Sequence, residues 1–158
     1  MTKQAISVKG IVAGLDDGWI LEQYARATSD IIKGWQMVGL SKVAMSWVMY
    51  AYVSLSKTEG SYGYLVSRLS KTIRAKDKKL TPKQAVKLVE LAIEERLTNK
   101  KMSGRLRGIV INVPQSTYND NRNKYEGLIL FVDSTLKRYE DEAKTVFRIK
   151  MGCKSGQF

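Results

Sequence analysis

Apolar residues recur along this chain at helical spacing. From Asp17 onward, Ile20, Tyr24, Ala27, Ile31, Trp35 and Val38 step by threes and fours, which marks one face of a long helix. Asp16 and Asp17 suit its start, where carboxylates meet free N–H groups and the positive end of the dipole, and Gly39 suits its stop. Ser41 is a candidate N-cap for a second helix running to about Ser56. That helix is apolar nearly all round (Val43, Ala44, Met45, Trp47, Val48, Tyr50, Ala51) and so belongs at the centre of a domain. After a polar loop from Lys57 to Ser61, a third helix from about Tyr62 to Arg74 turns Tyr62, Leu65, Val66, Leu69 and Ile73 inward. Thr81-Pro82 pairs an N-cap residue with proline at the first helical position, and Ala85, Val86, Val89, Ala92, Ile93 and Leu97 form the stripe behind it.

Two segments interrupt this rhythm. Thr98 to Arg107 reads as a basic turn around Gly104, and Ile109–Val113 as a short extended segment ended by Pro114. Ser116–Asn123 reads as a loop or a frayed helix start. The chain then gives its most regular pattern: Tyr125, Ile129, Val132, Leu136, Tyr139, Ala143 and Val146 alternate spacings of 4 and 3, the a/d seam of three heptads. Such a seam packs on its own domain, or it joins two copies through Tyr125, Ile129, Val132, Leu136, Tyr139 and Val146. The expected fold is mostly α: one compact bundle of about five helices over residues 1–158, with one short extended segment. Residues 1–14 form a flexible N-terminal arm, and residues 115–151 a loop plus the long amphipathic C-terminal helix.

Charge changes this picture. The 158 residues carry 27 Lys/Arg against 15 Asp/Glu, a net charge of +12, so polyanions are the default partners. The excess is not spread evenly. Residues 1–60 hold six basic and five acidic residues, residues 61–110 thirteen and four, and residues 111–158 eight and six. A charge serving solubility alone would be scattered, so the clustering favours a binding face. Its candidates are Arg68, Lys71, Arg74, Lys76, Lys78 and Lys79, followed by Lys100, Lys101, Arg105 and Arg107 beyond the next helix. The two groups sit roughly 25 Å apart, the length of about 16 helical residues, which suits a track along a duplex better than a pocket for one phosphate. Tyr62, Tyr64, Tyr118 and Tyr125 flank this charge and are the candidates for base stacking. They are sparse, and duplex binding is preferred over single-strand binding.

Val38-Gly39-Leu40-Ser41 resembles the turn of helix-turn-helix proteins, with Met45 and Val48 as apolar anchors of the following helix. Trp35 departs from the pattern, since a small residue belongs where the helices cross. Ser41, Lys42 and Ser46 are the few polar groups that could reach base edges. The alternative for this stretch is a buried helical hairpin.

Catalytic chemistry finds no footing. The chain has no histidine, one cysteine and no Gly-Lys-Ser or Gly-Lys-Thr phosphate loop, so no zinc site, histidine triad or cofactor is expected. Asp16-Asp17 is explained by capping, and Glu94-Glu95 and Glu140-Asp141-Glu142 read as solvent faces. The lone Cys153 points to a reducing compartment, and the N-terminus lacks the apolar core of a signal peptide. The apolar run Val43–Val53 is too short to span a bilayer. The expectation is therefore a cytoplasmic, non-enzymatic protein without a membrane partner. It would bind nucleic acid, duplex DNA rather than RNA, as an accessory or regulatory factor in transcription, replication or DNA packaging. The alternative is an inhibitor or adaptor that docks onto an acidic protein.

Overall fold

The computed structural model describes residues 40–54, 57 and 60–154. The expected helix 17–38, the N-terminal arm and Trp35 lie outside these residues. Ser41 caps helix α1 (Lys42–Val48), its Oγ accepting the Ala44 N–H at 3.2 Å. The coil then widens to a π-helix over Met49–Ser54, where Tyr50 rests against Tyr62 with ring centroids 4.6 Å apart. Helix α2 (Gly60–Lys76) and helix α3 (Pro82–Thr98) follow, slightly longer than the apolar pattern alone marks. Between them Thr81 and Gln84 form a reciprocal capping box, and Asn99 ends α3 in the left-handed conformation at φ 54.

The next segment departs from expectation. Ile109 and Val110 belong to a helix, α4 (Gly104–Val110), and no strand occurs among the described residues. Ser103 caps α4 through the Leu106 N–H, and Arg107 is locked to Glu95, so tertiary contacts override the β preference of the apolar run. Asn112, at φ 59, then reverses the chain. Pro114 starts helix α5 (Gln115–Asp120) rather than merely ending a strand. Helix α6 (Arg122–Lys154) completes the fold.

α1 lies against α2 and α6, and α3 also lies against α2 and α6, so four helices close a ring around one core. Trp47, Leu65, Leu69, Ile73, Leu88 and Leu91 fill it. The α6 seam is spent inside the domain: Tyr125, Ile129, Val132, Leu136 and Tyr139 are buried, and Val146 packs against the same core. These side chains are therefore not displayed for a second copy. The short α4–α5 pair sits across the end of α3 and the start of α6. Its approach is close, since a Cβ on Gly104 would lie 2.9 Å from Arg122 Nη2, and one on Gly108 3.4 Å from the Tyr118 Cβ.

Candidate nucleic-acid interface

α2 buries one face and turns the other outward, and the outward face carries all its charge. Arg68, Lys71, Arg74 and Lys76 are exposed, and the helix contains no acidic residue. Arg74 and Lys76 also suit the negative end of the α2 dipole. Each makes a local contact: Arg74 Nε reaches the Leu80 carbonyl at 3.4 Å, and Lys76 Nζ lies 4.3 Å from the centre of the Phe131 ring.

The turn into α3 extends the same surface. Lys78 and Lys79 are exposed, as is Lys83 in the first turn of α3, where no acid offsets the positive helix end. The single carboxylate nearby is occupied. Asp77 Oδ1 accepts the Lys79 N–H at 3.0 Å, and Oδ2 pairs with Lys124 Nζ at 3.1 Å. Burial opposes its ionisation, but the Lys79 amide and Lys124 together hold the Asp77 carboxyl below the usual range. Lys83 was not among the sequence candidates. Its signal was there, since it continues the cation run directly past Thr81-Pro82.

The second basic group does not stay together. Lys100, Lys101 and Arg105 are exposed, but Arg107 is only 7% exposed. Its Nη2 and Nε bond the two oxygens of Glu95 at 2.8 and 2.9 Å, and Glu95 Oε2 also accepts the Met102 N–H at 2.9 Å. The hydrogen bond to Glu95 outweighs desolvation and pushes the guanidinium pKa upward. Arg107 is therefore a structural residue and not a phosphate contact. Lys100 and Lys101 border a cleft of about 230 Å³ whose walls also carry Glu126 and Asp133, so charge at this end is mixed. α3, with its 17 residues, separates the two groups by about 25 Å.

The two acidic clusters expected to face solvent, Glu94-Glu95 and Glu140-Asp141-Glu142, are partly internal. Glu95 is held as above, and Glu140, at 1% exposure, accepts from Trp47 Nε1 at 3.0 Å and from Arg96 Nε at 2.7 Å. Arg96 also bonds Asp133 at 3.0 Å. The candidate stacking residues Tyr62, Tyr118 and Tyr125 are buried, and the half-buried Tyr64 lies under Lys42. Single-strand stacking has lost most of its platform. In the helix-turn-helix comparison, the would-be recognition helix is α1, and Ala44 through Val48 are all buried there, so it does not face outward. The turn itself, as far as Gly39, lies outside the described residues.

Set against protein families, curated proteins and solved structures, the chain matches none of them. Among the described residues, no helix is long and apolar enough to cross a membrane.

Proposed function

We propose that this protein binds nucleic acid, duplex DNA in preference, through the outer face of α2 and the α2–α3 turn. In this reading it acts as a non-enzymatic accessory or regulatory factor in transcription, replication or DNA packaging. One observation carries the reading. Between Gly60 and Val89 eight Lys/Arg stand against Asp77, which is already paired with Lys124, and of the eight Lys87 faces Glu90 just beyond the segment at 3.8 Å. A face of this kind attracts phosphates of any sequence and releases their counterions on contact. The buried tyrosines favour a duplex over a single strand, because stacking needs exposed rings.

The test is fluorescence anisotropy with duplex DNA, single-stranded DNA and RNA at about 50 and about 200 mM salt. A variant with Arg68, Lys71, Lys78, Lys79 and Lys83 changed to Gln spares Arg74 and Lys76, which make contacts within the fold. For duplex DNA the slope of log affinity against log salt should fall by up to about 4 to 5 in this variant, from about 0.9 per phosphate contact. A second variant, with Lys100, Lys101 and Arg105 changed to Gln, should keep most of the slope. Weak binding that ignores the α2 substitutions would sink the reading.

A further inference from the structure

Helix α6 sorts its charges by side. Glu126, Asp133 and Glu140 recur every seven residues, about two helical turns, and Asp133 and Glu140 bond Arg96 of α3. Lys124, Phe131 and Arg138 recur at the same spacing on a different side of the helix. Two of these three meet the basic surface of α2 and its turn. Lys76 Nζ lies 4.3 Å from the centre of the Phe131 ring, and Lys124 Nζ pairs with Asp77 at 3.1 Å. Passing forward from Lys76 to Asp77 therefore runs backward along α6, from Phe131 to Lys124. The same antiparallel sense sets Arg68, about 12 Å of helix before Lys76, beside Arg138, about 10.5 Å after Phe131. The Tyr139 phenol agrees with this register. Burial holds its pKa above the usual value, with Glu142 adding to the rise, while Arg138 and Arg68 both pull it down. One hydroxyl thus feels a guanidinium from α6 and another from α2. Arg138 Cζ also lies 5.8 Å from the centre of the Tyr139 ring. Arg68 and Arg138 are exposed, and among the described residues no carboxylate pairs with either. Asp141 and Glu142, within about one turn of Arg138, end the strip.

We infer that Arg138 is a phosphate contact on a second helix, so that the nucleic-acid backbone lies against α6 as well as the α2 row. This rests on the nucleic-acid reading above and adds to it a residue some sixty positions further along the chain. Unpaired cations on two neighbouring elements suit a ligand whose negative charge repeats, and each contact releases counterions. The aromatic rings of the strip do not offer a stacking platform: Tyr139 is buried, and Phe131 is half-buried beneath Lys76. The contact is therefore to backbone and not to bases. Lys124 has a different task, because its charge is spent on Asp77 and ties the α2–α3 turn to α6.

Lys137 is the internal control. It is exposed, adjacent in sequence and equal in charge, but it stands about 100° round the helix from Arg138, on the side of Asp133. The assay is anisotropy with duplex DNA at about 50 and about 200 mM salt. Arg138→Gln should lower the salt slope by about 0.9, so that the affinity lost between the two salts shrinks about 3.5-fold. Arg138→Lys, which keeps the charge, and Lys137→Gln should both keep the wild-type slope. A wild-type slope in Arg138→Gln, with the α2 glutamine variant still losing its own, would remove α6 from the interface and leave the α2 reading standing. An equal fall in Lys137→Gln would mean net charge alone and would also overturn the proposal. A slope that neither the α2 nor the α6 substitutions move would overturn the nucleic-acid reading itself.

Discussion

Replacing Arg107 with alanine isolates the interior ion pair from the surface charge around it. In the fold Arg107 and Glu95 are each about 9% exposed at the side chain and meet through two short hydrogen bonds. Without the guanidinium, Glu95 keeps one donor, the Met102 N–H, and remains a buried, uncompensated carboxylate. Breaking a buried pair in this way costs about 3–5 kcal/mol. For a chain of this size that corresponds to a Tm lower by roughly 10–15 °C. Arg105→Ala, two residues away and exposed, should stay within about 0.5 kcal/mol of wild type. The double variant Glu95→Leu, Arg107→Met removes both charges, and its residual cost is the stranded Met102 N–H, about 1–3 kcal/mol. It should therefore be more stable than Arg107→Ala. Urea unfolding followed by far-UV circular dichroism reads all three. Equal losses for Arg107→Ala and Arg105→Ala would refute the structural assignment of Arg107.

The α6 seam gives a second test: Leu136→Ala should cost about 2–5 kcal/mol, and by the same amount at every protein concentration, because Leu136 is buried within one chain. A concentration-dependent loss would place the seam between copies. At alkaline pH, burial first, then Glu94 and Glu90, push Tyr50 up to about 12, and burial together with Glu90 raises Tyr62 as well. Both phenols keep their protons in the fold after an unfolded tyrosine, near pH 10, has begun to lose its own. Stability should thus be full below about pH 10 and fall from there towards about pH 12. Ionisation of every tyrosine near pH 10 with helicity intact would contradict this, as read by absorbance and circular dichroism. Gly63 lies inside α2 with open space where a methyl group would stand, so Gly63→Ala should raise stability by about 0.5–1 kcal/mol, seen as a higher urea midpoint.

What was legible in the sequence was local. Ser41 and Thr81-Pro82 announce their helices because a cap is chemistry between residues three apart. The heptad spacing marks the inward face of α6 because periodicity records burial, although it cannot say what covers that face. The misreadings share another cause. Arg107 lies among exposed cations, and nothing nearby in sequence distinguishes it from Arg105. Its burial depends on Glu95, twelve residues earlier, coming to the same place in space. Glu140 is adjacent to Asp141 and Glu142, yet its partners are Arg96 and Trp47, 44 and 93 residues away. Ile109 and Val110 have a β preference that a cap at Ser103 and the Glu95 lock override. At the candidate interface the α2 cations were readable because the helix has no acid with which to pair them internally. The second group was not, since acids from α3 and α6 arrive only when the chain folds.

Glu140 also sets an order on the birth of the protein. Trp47 and Arg96 emerge from the ribosome before the carboxylate that both of them bond. Until α6 follows, the α1–α3 helices must hold a guanidinium and an indole N–H whose acceptor has yet to be made. The α2–α3 hairpin, with its self-contained capping box, is the part able to form early. Closure of the ring waits for the last helix. A premature stop ahead of residue 140 would therefore release a chain with apolar surface open and Arg96 lacking its main partner, a form suited to aggregation or proteolysis rather than to partial function.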